Sequence, residues 1–177
     1  MNLYTSLGES IQRALENIYK SQGYVNPLVI YKFQNAPEPK KSYVAISILS
    51  LAADGRATKS ATLENVVVGG VEKGRFYHQQ HYTAQVQLSF IGEDSGDMSL
   101  DLKQAMAGSV YAKDAFGVEN LALRQHGDIR HNPQLRETRW VDSFNFDLSL
   151  GYSVSSTEDV DWVAAITVNG IQIPDNI

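Results

Sequence analysis

There is no cysteine in this chain. That absence excludes a disulfide, a thiolate metal centre and a cysteine nucleophile, and it leaves the redox compartment unreadable. Basic residues are short as well: 15 Lys and Arg stand against 20 Asp and Glu, a net charge of −5, with a pI near 5.3. Such a balance argues against gripping nucleic acid by broad neutralisation of phosphates. It leaves open a surface past which nucleic acid moves without sticking, since like charges repel. No apolar run approaches the roughly 18 residues of a membrane span, so no membrane association is expected. The opening MNLYTSLGES has neither a basic region nor an apolar stretch, so a secretory signal is not expected and synthesis in a cytoplasm is. A nucleophile elbow, G-x-S-x-G, is missing too. The glycines of VVVGGVEKGRF fit neither G-x-x-x-x-G-K-[ST] nor G-x-G-x-x-G, so no phosphate cradle is expected.

What is present is patterned. The stretch SFNFDLSLGYSVSS, 143–156, alternates for a dozen residues. Phe144, Phe146, Leu148, Leu150, Tyr152 and Val154 share one parity, with Ser, Asn, Asp and Gly on the other, which is the period of a half-buried strand. It is about twice the mean strand of 5–6 residues. FYHQQHYTAQVQLSFIG, 76–92, repeats the pattern with Tyr82, Ala84, Val86, Leu88 and Phe90. Two segments carry the helical period instead. In 5–20, Leu7, Ile11, Leu15 and Ile18 form a stripe that Gly23 stops; in 94–114, Met98, Leu102, Ala105, Met106 and Val110 form another behind an acidic, serine-rich start.

Shorter signals fill the rest. The spacing predicts strands over 27–33, over 42–53 (largely buried) and around Leu121 and Leu123, a turn–strand–turn over 54–76, and polar loops over 35–41 and 130–139. Asn169–Gly170 predicts a hairpin turn within 161–173. Two helices among about six strands predict an α+β fold: a twisted, mainly antiparallel sheet, long strands, and two main helices packed on one face. A chain of 177 residues that is 43% hydrophobic and 20% charged can bury one core. With no repeat, low-complexity tract or linker, a single domain over 1–177 is expected.

Candidate chemistry is sparse. His78 and His81 have metal-like spacing on a helix, but on a strand i and i+3 point to opposite faces. His126, Asp128 and His131 surround a turn that reads as a polar loop. Glu158, Asp159 and Asp161 lack the glycine and terminal glutamate of a calcium loop. Trp140 and Trp162 bracket the long strand and read as core or interface anchors rather than sugar-stacking platforms. No catalytic residue, cofactor or metal is expected, and the chain reads as a structural or binding protein rather than an enzyme.

Three segments carry a family likeness. The first is SYVAISILSLAADGRATKS, 42–60, a strand followed by a turn at Gly55-Arg56-Ala57. The second is LALRQHGDIRHNPQL, 121–135, a strand ending near Gly127-Asp128 and then a polar loop. The third is FNFDLSLGYSVSSTEDVDWVAAITVNG, 144–170, an apolar-Asp-apolar strand, an acidic turn and a tryptophan-led strand. With the leading helix at 5–20, the chain resembles the neck or tail terminator proteins of tailed bacteriophages. The resemblance implies a virion structural protein that forms a hexameric ring, caps the tail tube and joins it to the head connector. It implies as partners further copies of itself, the tail-tube protein, the connector or neck proteins and, where the tail is contractile, the sheath protein. Genomic DNA would pass through the lumen without sequence-specific binding.

The alternative kept beside it is another phage assembly component, a head-completion, connector-adaptor or minor tail protein; an unrelated binding domain or small enzyme is the third class. The docking surfaces expected are the loops Asn35–Lys41, Asp54–Ala61 and Asp128–Arg139, where packing demands least. Of their charged residues, Glu38, Lys40, Asp54, Arg56, Lys59, Asp128, Arg130, Arg136 and Arg139 are the candidate interface residues.

Overall fold

A computed structural model describes residues 3–32, 37–55, 58–68, 71–136, 138–161, 165–168 and 171–174. In chain order its elements are α1 (Leu3–Ser21), β1 (Val29–Tyr31), β2 (Tyr43–Ala53), β3 (Thr58–Val68), β4 (Val71–Ile91), α2 (Ser95–Gly108) and α3 (Val110–Val118). There follow β5 (Leu121–His126), β6 (Arg130–His131), β7 (Gln134–Arg136), β8 (Arg139–Val141), β9 (Ser143–Asp161), β10 (Ala165–Val168) and β11 (Ile171–Pro174). The chain divides into two compact units: Met1–Asp54 with His81–Ser153, and Gly55–Gln80 with Val154–Ile177.

In the first unit the strand order is β1-β2-β4-β9-β5, with β6 beside β9. β1 runs parallel to β2, while β2 with β4 and β5 with β9 run antiparallel. The fold class is thus α+β with a mainly antiparallel sheet, as the alternation predicts. The apolar parity of β4 and β9 faces the helices: Ala84, Val86, Leu88, Phe90, Phe146, Leu148 and Leu150 are all buried, while Tyr82, Phe144 and Tyr152 are partly so. Leu7, Ile11, Ala14, Leu15, Ile18 and Tyr19 of α1 join them in one cluster with Met98, Leu102 and Met106 of α2 and Phe116 of α3. Each such side chain contributes roughly 1.5–3 kcal/mol relative to exposure. Tyr19 brings its hydroxyl into this core and donates it to the Met98 carbonyl oxygen at 3.0 Å, which removes the cost of an unmet polar group.

α1 stops as its sequence demands. Gly23 adopts φ +92°, and the Tyr24 N–H reaches back to the Tyr19 carbonyl, so the glycine supplies the left-handed residue that closes the last turn. In the second unit β3 pairs antiparallel with the first half of β4, from Thr58↔Gln79 to Val68↔Val71, and β10 pairs antiparallel with β11.

Several expectations need correction. The segment 94–114 is two helices, because Ser109 takes an extended backbone (φ −85°, ψ 128°) and its side chain accepts from the Tyr111 N–H to start α3 anew. There are therefore three helices among the described residues, and the redirected α3 leaves Val110 67% exposed rather than in the stripe. β2 is buried only over its first half. A register shift between Ile48 and Ser50 expels Leu49 and changes the parity that faces the core from Val44, Ile46 and Ile48 to Leu51. Within 54–76 the expected strand is β3, and 71–76 already belongs to β4; the second turn expected there falls on residues 69–70, outside the described residues. The polar loop 130–139 contains β6 and β7 and leads into β8. The turn Asn169–Gly170 lies outside the described residues.

Candidate functional site

The polar parity of β4 and β9 faces away from the helices and builds its own network. His81 Nδ1 lies 2.7 Å from Ser153 Oγ, Gln85 Nε2 donates to Ser149 Oγ at 3.2 Å, and Gln87 Nε2 donates to Asp147 Oδ1 at 3.2 Å. The partners ascend β4 as they descend β9, so the two strands run antiparallel here. On this face the described charges are met by opposite charges. Arg130 pairs with Asp147.

Arg124, turned out by the register shift between Leu123 and Gln125, lies across β9. It donates to Thr83 Oγ1 at 2.7 Å and to Asp54 Oδ2 at 2.5 Å. Gly151 permits this crossing, since a Cβ there would stand 2.9 Å from Arg124 Nε. Thr83 completes the triangle by donating to Asp54 Oδ1 at 2.7 Å. The Thr83 hydrogen bond first, then Arg124, holds the Asp54 carboxyl below its ordinary pKa. The result is a face of amides, hydroxyls and internally neutralised ions.

The structure brings some candidate interface residues together and separates others. Glu38, Lys40 and Arg139 line one cleft of about 290 Å3 with Tyr43 and Val141, and Glu38 accepts a hydrogen bond of 2.6 Å from the Tyr43 hydroxyl. Asp54 and Arg130 belong instead to the polar face. Asp128 sits apart with Lys103, which donates to it at 2.8 Å and, through that bond, keeps its carboxyl low. Arg56 lies outside the described residues, as do the side chains of Lys59 and Arg136. Sequence reasoning missed Arg124, Thr83 and Gly151. Arg124 stands mid-strand and its partner Asp54 is 70 residues away in sequence, so no local pattern announces the pair.

Two exposed apolar features also went unforeseen. Trp140, expected as a core or interface anchor, is 72% exposed and lies directly opposite the also exposed Leu135 in the β7–β8 ribbon, which rules out the core half of that reading. α3 leaves Val110, Tyr111 and Val118 exposed. Trp162 lies outside the described residues.

For chemistry the arrangement offers little. His131 bonds Asp142 at 3.1 Å and stacks on Phe144, while His126 packs near Phe146. Their rings thus point to different partners rather than one centre. Among the described residues no group of three or more His, Asp or Glu could hold a metal ion, and no helix is long and apolar enough to cross a membrane.

One family model, described as phage neck terminator protein, matches residues 9–176. No curated protein matches the chain.

Proposed function

The chain belongs to the phage neck terminator protein family, and from that premise we propose that it caps the tail tube as a hexameric ring and joins the tail to the head connector. The match over residues 9–176 carries this reading, because it spans nearly the whole chain and both of its compact units. A phage neck protein belongs to the virion and is structural. In this proposal residues 1–177 work as one terminator domain, made in the host cytoplasm and incorporated at the neck. Its partners are its own copies, the tail-tube protein, the connector proteins and, in a contractile tail, the sheath protein. Genomic DNA passes through the ring without being read.

The polar sheet face supports the last point physically. A cationic face would hold phosphates through counterion release. Here the described cations Arg124 and Arg130 are already engaged by Asp54 and Asp147, which leaves a surface of low affinity for a polyanion. The loops with Glu38, Lys40, Asp54, Arg56, Lys59, Asp128, Arg130, Arg136 and Arg139 remain the proposed docking residues. The chemistry is assembly rather than catalysis.

The test is genetic. Phage lacking this protein should accumulate filled heads and separate tails that fail to join, with tubes of irregular length. Normally joined, infectious particles from the null mutant would overturn the proposal. Joined particles defective only in adsorption would favour a minor tail protein instead.

A further inference from the structure

The polar face of the first unit ties β4 to β9 at regularly spaced positions. His81 meets Ser153 at 2.7 Å, Gln85 meets Ser149 at 3.2 Å and Gln87 meets Asp147 at 3.2 Å. Each step of two residues up β4 is matched by a step of two down β9. The same spacing sets Thr83 opposite Gly151, which has no side chain. There Arg124 crosses β9 and donates to Thr83 instead. From His81 to Gln87, every residue of this parity is thus met by a group of the chain itself.

The next step sets Ser89 opposite Asn145, and here the series is interrupted. Ser89 Oγ and Asn145 Oδ1 are both buried, and neither has a hydrogen-bond partner among the described residues. Ser89 is only 1% exposed, so bulk solvent does not serve its hydroxyl. Its neighbour on β2 is Ala45, which packs with Tyr43 and Ile91 in a small apolar cluster. On the other side of Asn145 stands Arg130, whose guanidinium is engaged by Asp147. The pair therefore has a methyl group on one flank and an occupied cation on the other. Burying a hydroxyl and an amide oxygen unmet costs free energy, and native proteins keep few such groups.

We propose that one resident water molecule bridges Ser89 and Asn145. Enclosed polar groups left without a protein partner are the usual hosts of internal water, which makes about three hydrogen bonds in such a place. Water carries both functions the pair needs. Its oxygen accepts the Ser89 O–H, and one of its hydrogens is donated to Asn145 Oδ1. No side chain of a neighbouring protein reaches a hydroxyl this enclosed, and two neutral oxygens fall far short of the oxygen shell of a bound divalent cation. The water continues the cross-links between β4 and β9 past Gln87 to the end where Ala45 and Ile91 take over the packing. This inference is independent of the role at the neck.

Oxygen-17 relaxation dispersion of the solvent around the full chain counts its long-lived internal waters. Ser89→Ala and Asn145→Ala should each lower that count by one. The double variant should also lower it by one, because both substitutions remove the same molecule. An unchanged count in both single variants, or a double variant that loses twice as many as either, would overturn the proposal. The second single variant keeps the test valid if the first fails to fold. A crystal structure of the wild-type chain gives an independent reading. One solvent atom should lie within about 2.7–3.2 Å of both oxygens. A direct Ser89–Asn145 hydrogen bond with no solvent atom between them would overturn the bridge, and so would a full oxygen shell at about 2.3–2.6 Å, which marks a cation.

Discussion

Gly92→Ala should be among the most damaging single-methyl additions in the chain, and the reason can be separated into parts. Gly92 follows β4 with φ +116°, and an added Cβ would lie 2.6 Å from Ser42 Oγ and 2.7 Å from Ser42 Cα. Ser42 cannot move aside cheaply. Its hydroxyl accepts from the Asp94 N–H at 3.0 Å, and it leads directly into β2. A non-glycine residue in a sparsely populated backbone region costs on the order of 1–3 kcal/mol. Wedging a methyl against a backbone atom adds roughly 1–3 kcal/mol more.

Gly23 provides the control, since it has φ +92° but nothing within 4 Å of its would-be Cβ. Gly23→Ala should therefore show backbone strain alone, about 1–2 kcal/mol. Urea titration followed by far-ultraviolet circular dichroism measures both. With a slope near 2 kcal/mol/M, Gly92→Ala should lower the midpoint by about 1–3 M and Gly23→Ala by less than about 1 M. Equal shifts for the two would refute the contact with Ser42 as the reason.

Phe146 is fully buried, so Phe146→Ala should cost about 3–5 kcal/mol in the same titration; a loss under about 1 kcal/mol would mean that this face is not core. Gly151→Val should displace Arg124 from Asp54, and carboxylate titration by NMR should find the Asp54 pKa higher than in the parent; an unchanged value would show that Arg124 does not need the glycine. Asp54 and Asp128 both have folded pKa values below the ordinary carboxylate value. Their stabilising contribution is therefore fully present above about pH 4 and is lost as the pH falls through the lowered values. Asp54→Asn and Asp128→Asn should flatten the acid limb of the stability profile, and an unaltered limb would contradict the assignment. Metal analysis of purified protein should find no stoichiometric ion; one that disappears in His126→Ala or His78→Ala would overturn the structural reading.

The elements legible in the sequence were those whose pattern persists. Leu7, Ile11, Leu15 and Ile18 repeat over about three turns, and the parity of Phe146, Leu148 and Leu150 never breaks, so α1 and β9 declare themselves. Phase changes are harder to see. The shift at Leu49 moves β2 to the other parity, and a run of apolar residues reads as buried on both sides whether or not a bulge intervenes. The stop at Ser109 was hidden because Val110 continues the spacing of Met106 while a single serine's backbone decides the break. β6, β7 and β8 are two or three residues long, too short for any period.

The polar site was half legible. Charged loops pointed to Asp54 and Arg130, but their partners Arg124 and Asp147 sit within strands, and only the register of β5, β9 and β4 brings them together. Glu38, Lys40 and Arg139 are likewise joined by packing and not by any spacing in the chain.

The most direct measurement is the position and copy number of this protein in the intact particle. An affinity label on the chain, imaged by electron cryomicroscopy of purified virions, should mark a single ring of six copies between the tail tube and the head connector, with its polar sheet face free of bound DNA. Label at the distal tail tip, along the length of the tail or inside the head would contradict the terminator role.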